Sequence, residues 1–312
     1  MTGTSICVIY NPNAGRGRGS DRISKLRRVL GTRAAFWPTT AAGHAENLAL
    51  EAARAGFQVV AAAGGDGTAH EVANGLLRSE RPGVIMAVVP VGSANDYAYS
   101  LGLPGEWWLR ADDRIAVRAV DVGLVRSVER SRYFVNGLGL GFNGAVTLQS
   151  RKIKRLQGLP LYGLALLRAL LFDYALPRMT VRLDGGPERS GPTLAFTLAN
   201  GQREGNFVVA PDAILDDGVF DYLQVGALHR LDLLRFVPGL VVGRLPKNHP
   251  EVWQGRCNRV ELTSASPLTV HVDGEFFARP EDDCKALTVE LLPRRLRVFS
   301  RLPQALSAPR SS

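Results

Sequence analysis

Cysteine is scarce, with three copies in 312 residues: Cys7, Cys257 and Cys284 lie far apart and form no CxxC pair. Structural zinc and a disulfide framework are therefore not expected, and scattered thiols suit a reducing compartment. The five histidines, at 44, 70, 229, 249 and 271, show no HExxH or other ligand spacing, and no Ser-His-Asp grouping can be argued. No GxxxxGK[ST] is present, which excludes a P-loop enzyme. No long uninterrupted apolar run exists either. The run Ile6–Tyr10 meets Asn11-Pro12 at once, too soon for a signal peptide, and reads as a first β-strand. The stretch 156–176 is apolar but is broken by Gln157, Arg168 and Asp173, with Pro160 and Gly163 inside, which argues against a membrane span. A buried helix is expected there. An interfacial helix is the functional alternative, because Arg151, Lys152, Lys154 and Arg155 sit just before it.

What is present is the composition of a globular protein, 46% apolar and 21% charged, long enough for two domains with a sizeable core. Basic residues exceed acidic ones, 38 against 29, for a net charge of +9. Such a balance favours polyanions: nucleic acid, an anionic lipid surface or a phosphorylated substrate. An arginine-rich proteome accounts for it equally well. No aromatic-and-basic motif of a nucleic-acid binder accompanies it.

The first 120 residues alternate strand and helix signals. Ile6–Tyr10, 34–37, 58–63 and 84–89 read as strands, while 23–30, 44–55 and 68–77 read as helices, with a short helix from about Asn95. This rhythm predicts a parallel sheet covered by helices. Beyond about residue 121 short β-rich runs take over: 120–125, 133–138, 179–183, 194–200, 219–225, 259–263, 268–272 and 287–291. Asp184-Gly185-Gly186 and Asp273-Gly274 are hairpin-type turns, so this part reads as a mostly antiparallel sandwich. The expected organisation is an α/β domain over 1–120, a β-sandwich domain over 121–301 whose last strand returns to the first domain, and a tail over 302–312.

The strongest chemical signal is Gly64-Gly65-Asp66-Gly67-Thr68, between a strand and a helix. Thr68-x-x-Glu71 reads as a capping box, which starts the helix at this turn and leaves amide groups facing an anion. Glycines let a phosphate approach the backbone, and Asp66 adds a carboxylate suited to magnesium or to proton transfer. Pro90-Val91-Gly92-Ser93-Ala94-Asn95-Asp96 repeats the design, with Ser93 and Asp96 as another capping pair. Asn11-Pro12-Asn13-Ala14-Gly15 follows the first strand. All three turns lie at the carboxyl ends of parallel strands, where a nucleotide crevice forms. Gly15, Gly17 and Gly19 read as a flexible phosphate-side loop. Gly139-x-Gly141-x-x-Gly144 matches a dinucleotide fingerprint only formally, having no βαβ context. In the second half, Asp273-Gly274-Glu275 reads either as a hairpin with solvated carboxylates or as the source of a general base, Glu275, reaching the cleft. Asp216-Asp217-Gly218 reads as a β-turn or a hard-cation site.

Together these motifs resemble the diacylglycerol kinase catalytic-domain family of soluble lipid kinases, which includes bacterial diacylglycerol kinases and sphingosine and ceramide kinases. The resemblance runs over nearly the whole chain: Asn11-Pro12-x-x-Gly15, Thr39-x-x-x-Gly43-His44-Ala45, 64–71, 90–96, Val120-Asp121-Val122-Gly123, Asn136-x-x-Gly139-x-Gly141, Ala210-Pro211-x-Ala213, Asp216-Asp217-Gly218 and Asp273-Gly274-Glu275. The GGDGT turn alone is shared with NAD kinases. The resemblance implies an NAD-kinase/diacylglycerol-kinase-like α/β nucleotide-binding domain with a parallel sheet, plus an all-β sandwich domain, with ATP and Mg2+ as cofactors. ATP contacts would fall on Asn11, Pro12, Asn13, Ala14, Gly15, Thr39, Gly65, Asp66, Gly67, Thr68, Ala69, His70, Glu71 and Ser93. Glu275 matches the proton acceptor, and Asp66 and Asp96 match acids needed for activity. A structural magnesium would map to Asp217 with the carbonyls of Ile214 and Val219. The glycine-rich stretch that precedes the Ala-Pro motif in the family is here Glu204-Gly205-Asn206-Phe207. The implied activity is transfer of the ATP γ-phosphoryl group to a lipid hydroxyl at a membrane surface, by a cytoplasmic protein that docks peripherally and for which a homodimer is one arrangement. Phosphorylation of a soluble acceptor such as NAD, and a non-catalytic nucleotide-binding module, are the alternatives.

Overall fold

Four apolar runs near the N-terminus form parallel strands because helices cover both of their faces. The structure is a computed structural model that describes residues 5–302 apart from 110–111, 154–155, 157 and 245–247, and without the side chains at 16–18, 159, 237 and 240. Lys154, Arg155, Gln157 and the tail past 302 thus lie outside the described residues. The strands are β1 (Ile6–Tyr10), β2 (Ala34–Pro38), β3 (Val59–Gly64) and β4 (Ile85–Pro90), in the order β2-β1-β3-β4. Between them run α1 (Arg18–Leu30), α2 (His44–Arg54) and α3 (Asp66–Arg78), and α4 (Asp96–Ser100) follows β4. The chain goes one way from β1 to β2 and the other way to β3 and β4. The switch point therefore lies at the carboxyl ends of β1 and β3.

Alanine makes this half thin and tight. Ala45, Ala49, Ala52 and Ala53 of α2 pack on α3, where a Cβ on Gly75 would lie 2.2 Å from the Glu46 carbonyl oxygen. The stretch expected to be a flexible loop around Gly17 and Gly19 is instead a 3-10 turn, Ala14–Gly17, running into α1. Gly19 is packed there, since a Cβ would lie 2.4 Å from the Ala14 carbonyl oxygen.

The second half is built from β5 (Ile115–Arg126), β6 (Ser131–Phe134), β7 (Gly137–Gly141), α5 (Phe142–Lys152), α6 (Gly158–Phe172), β8 (Arg178–Leu183), β9 (Glu188–Pro192), β10 (Ala195–Ala199), the short pair β11 (Arg203–Glu204) and β12 (Phe207–Val208), β13 (Phe220–Val225), α7 (Arg230–Val241), β14 (Val252–Cys257), β15 (Arg259–Ser264), β16 (Val270–Val272), β17 (Glu275–Ala278) and β18 (Ala286–Arg301). The six-stranded sheet β14-β13-β10-β7-β16-β17 is antiparallel. It packs through Phe134, Phe196, Phe220 and Leu262 onto the other sheet, which continues as β18-β15-β8-β9, with β5 beside β18 and β6 beside β5. β18 joins the halves: Arg297 and Val298 pair in parallel with Ile85 and Met86 of β4, while Thr288–Leu292 and Leu296–Arg301 run antiparallel to β5.

The run read as one strand over 133–138 is split between the two sheets. Asp273 explains the break. Its carboxylate accepts from the amides of Val135 (3.0 Å), Asn136 (2.8 Å) and Gly137 (3.0 Å), so these groups leave the ladder. It also accepts from His70 Nδ1 at 2.8 Å, and Arg132 Nε donates to His70 Nε2, which fixes the ring as the Nδ1–H tautomer. Asp273 is therefore not a solvated hairpin acid. Burial opposes its charge, yet the His70 contact and the amides hold its carboxyl below the usual range. Asp273→Ala strips partners from three amides and a buried imidazole. A loss of about 3–5 kcal/mol is expected, read as a lower urea midpoint. An unchanged midpoint would show that the hub does not join the halves.

Candidate active site

The three polar turns meet as backbone. Gly65 and Gly92 touch: a Cβ on Gly92 would lie 2.5 Å from the Gly65 Cα. Gly15, at φ +67°, would place a Cβ 2.8 Å from the Val91 carbonyl oxygen. Asn95, left-handed at φ 53°, closes the last turn by accepting from the Gly92 amide (2.9 Å) and donating to its carbonyl (2.8 Å).

Neither expected capping box forms, and each acid has a different task. α3 begins at Asp66 after Gly65, and no side chain caps it. Glu71 reaches sideways to accept from Gly43 (2.8 Å) and Ala45 (3.0 Å), capping α2. The uncapped first turn of α3 is a better anion cradle than a capped one, because its amides face the cleft. Asp96 reaches across to the second half and accepts from Gly205 (2.6 Å) and Asn206 (3.2 Å). These two residues are a positive-φ hairpin turn between β11 and β12. We expect Gly92→Ala to weaken nucleotide binding at least tenfold, because the added methyl must push the two turns apart. Isothermal titration with ATP checks this, and an unchanged Kd would remove the nested turns from the account.

Asp66 accepts from the Tyr97 amide at 3.2 Å and lies beside Asp96. Enclosure, then the Asp96 charge, raises its carboxyl to about 7, against the pull of the Tyr97 and Asn95 amides. Asp96 is also raised, by burial first, with Arg203 and the two turn amides opposing. Glu275 comes from the other half. The two-residue turn Asp273-Gly274 (φ 51° and 82°) throws it over α3, where a Cβ on Gly67 would lie 3.0 Å from Glu275 Oε1. Arg151 Nη2 holds Glu275 Oε2 at 2.8 Å. Arg151 thus turns toward the cleft instead of serving a free basic patch.

These groups line one cleft of about 650 Å³. Of the residues expected to bind nucleotide, Asn11, Ala14, Gly15, Gly65, Asp66, Gly67, Thr68 and Ser93 line it, as do Asp96 and Glu275. Pro12 and Asn13 sit exposed in the turn beside it, and Thr39 continues β2 by donating to the Tyr10 carbonyl at 2.9 Å. Ala69 is core, its amide bonded to the Gly65 carbonyl. His70 and Glu71 are occupied as described, so these three do not reach the cleft. Ile214, Asp217 and Val219 form a separate turn in which Asp217 faces Arg256 at 3.6 Å. Among the described residues no group of three or more His, Cys, Asp or Glu is arranged to hold a metal. Gly139, Gly141 and Gly144 do lead from a strand into a helix, but β7 pairs antiparallel and the glycines admit His271, Leu194 and Thr269, so no dinucleotide site forms.

The far end of the cleft was not legible in the sequence. Phe142 and Val146 of α5, Leu161 and Leu166 of α6, Phe207, and Leu233 of α7 make it apolar. Residues 158–172 are not a wholly buried helix: Ala165, Leu166, Ala169 and Leu170 pack inward, while Leu164, Leu167, Leu171 and Phe172 face out.

Residues 5–125 match the family model described as diacylglycerol kinase catalytic domain, and residues 137–300 match the YegS C-terminal NAD kinase beta sandwich-like domain. The diacylglycerol kinase of Bacillus subtilis is 30% identical over 278 residues, 86% of this chain and 89% of the relative. The chain belongs to the diacylglycerol kinase family. A protein of Chromohalobacter salexigens named "Probable lipid kinase YegS-like" is 34% identical over 258 residues, 80% of this chain and 79% of that one. Among solved structures, a diacylglycerol kinase from Bacillus anthracis superposes with a TM-score of 0.70 at 20% identity, covering 96% of this chain and 97% of that one. An NAD kinase from Archaeoglobus fulgidus in complex with ATP gives 0.51 at 10% identity, covering 95% and 94%. These superpositions bear on the fold: an α/β domain with a β-sandwich domain.

Proposed function

We propose that this kinase transfers the γ-phosphoryl group of ATP to a primary hydroxyl of a lipid. The observation that carries the reading is the single cleft, in which glycine turns and acids at one end continue into an apolar end walled by α5, α6 and α7. The amides of the first α3 turn and Gly15 cradle phosphates. Glu275, oriented by Arg151, takes the proton of the acceptor hydroxyl. That oxygen bonds phosphorus as the bond to the β-γ bridging oxygen breaks, and ADP leaves. Asp66 is less suited to be the base, because its carboxylate is engaged by the Tyr97 and Asn95 amides. Asp66 and Asp96 are the residues that would hold magnesium, since the Asp96 charge opposes ionisation of Asp66 and a divalent cation offsets that repulsion. Magnesium supplies charge neutralisation on the phosphates when bound.

The acceptor lies in a membrane or micelle. Among the described residues no helix is long and apolar enough to cross a membrane. The outward face of α6, with Leu171 57% and Phe172 74% exposed, is the docking surface, and exposed Lys152 adds a basic neighbour. Leu171→Ser with Phe172→Ser is expected to cut turnover on vesicles at least tenfold while sparing turnover of a short-chain, water-soluble acceptor. Equal loss on both would remove α6 from docking. NAD as acceptor has the Archaeoglobus fulgidus likeness in its favour and the apolar cleft end against it. ADP formation measured against the mole fraction of lipid alcohol in mixed micelles tests the reading. We expect saturation with mole fraction. ADP formation that needs only NAD would overturn it.

A further inference from the structure

Four buried polar atoms on three residues have no hydrogen-bond partner: both ring nitrogens of His271, Glu204 Oε2 and the Tyr97 hydroxyl. All three residues line the cleft. His271 is 1% exposed and seated on β7, where only glycine fits, since a Cβ on Gly139 would lie 2.4 Å from His271 Nε2. That nitrogen is 2.9 Å from Glu204 Oε1, yet neither ring nitrogen makes an aligned hydrogen bond. The Glu204 backbone is fixed in turn. Asp96 holds the amides of Gly205 and Asn206, and the Tyr162 ring lies on Gly205, where a Cβ would meet it at 2.9 Å. A rigid turn thus presents a carboxylate whose Oε2 has no partner, beside an imidazole that it touches at 2.9 Å without an aligned hydrogen bond. Native proteins rarely leave such groups buried and unpaired unless a ligand completes them.

We propose that Glu204 and His271 form an acceptor-recognition subsite for a second hydrogen-bond donor next to the hydroxyl that is phosphorylated. The inference rests on the lipid-kinase reading and narrows its substrate class to amphiphiles with a vicinal hydroxyl or ammonium, that is, a 1,2-diol or a 2-amino alcohol. A carboxylate only accepts. Diacylglycerol has one hydroxyl, which must face Glu275, and its ester oxygens bring no donor to Glu204. A diol or amino alcohol brings one.

The test is phosphoryl transfer from ATP to three acceptors of similar chain length in mixed micelles: a monoacylglycerol, a sphingoid base and a diacylglycerol. For the unaltered protein, kcat/KM on the monoacylglycerol or the sphingoid base should exceed that on diacylglycerol at least tenfold. Glu204→Gly should collapse that ratio at least tenfold, through KM. Glu204→Gln keeps an accepting oxygen without the charge. It should retain the diol but lose the amino alcohol, which tells the two sources apart, and it carries the test where the glycine variant unfolds. Preference for diacylglycerol, or an equal fall on all three acceptors in both variants, overturns the subsite and leaves the lipid-kinase reading standing. No transfer to any lipid by the unaltered protein, with ATP bound, overturns that reading and the subsite with it.

Discussion

Glu275→Gln is expected to lower phosphoryl transfer by about 10²–10⁴-fold, the usual contribution of a positioned general base, while ATP binds as before. The glutamine amide keeps the size and one accepting oxygen for Arg151 Nη2, which holds the native carboxylate at 2.8 Å. What it loses is the ability to take a proton. Because Glu275 Oε1 lies only over the first turn of α3, beside Gly67, the change leaves the nested glycine turns untouched. Kinetics and isothermal titration on the same preparation separate the two effects. Transfer reduced less than tenfold would move the base to another carboxylate, and a parallel loss of ATP affinity would make Glu275 a binding residue.

Asp66→Asn should abolish transfer and at the same time stabilise the nucleotide-free protein at neutral pH. The sign follows from the raised carboxyl. The unfolded chain ionises Asp66 near 3.8, whereas the folded protein resists ionisation until about 7. The contribution is therefore fully present below the unfolded value and is lost as pH rises to the folded one, at about 1.4 kcal/mol per pKa unit. Asparagine does not titrate and can still accept from the Tyr97 amide. At pH 8 the variant should melt several degrees above the unaltered protein. At pH 4 the two curves should converge. A variant that melts lower at pH 8 would falsify the crowding of Asp66 and Asp96. The pattern is a stability–function trade-off, in which two acids are held close at the expense of the empty site.

The sequence carried the α/β half well because its signals are local. Apolar strands ending in Gly64-Gly65 or Pro90 marked both strand ends and turns. The family resemblance likewise pointed to Asp66, Asp96 and Glu275 together, and all three line one cleft. What it could not carry was pairing across the chain. Thr68-x-x-Glu71 has the spacing of a cap, yet Glu71 caps α2, a helix 26 residues earlier, because α2 and α3 pack side by side. Asp273 looked like any turn acid, and only the amides of 135–137 and His70 show it to be a buried hub. α5 has no clear apolar stripe and α7 carries Pro238 inside, so neither stood out beside the β-rich runs. The apolar end of the cleft depends on those two helices together with α6, which is why the acceptor side was the least legible part.

The proposed function requires a single cleft that joins the nucleotide phosphates to a lipid hydroxyl. The measurement that meets it most directly is the fate of the label from γ-labelled ATP, incubated with the protein, magnesium, a lipid panel in mixed micelles and NAD, followed by organic extraction. Label is expected in the organic phase on a lipid phosphate ester, and is lost in Glu275→Gln. Label found only in the aqueous phase, on NAD or as free phosphate, would contradict it.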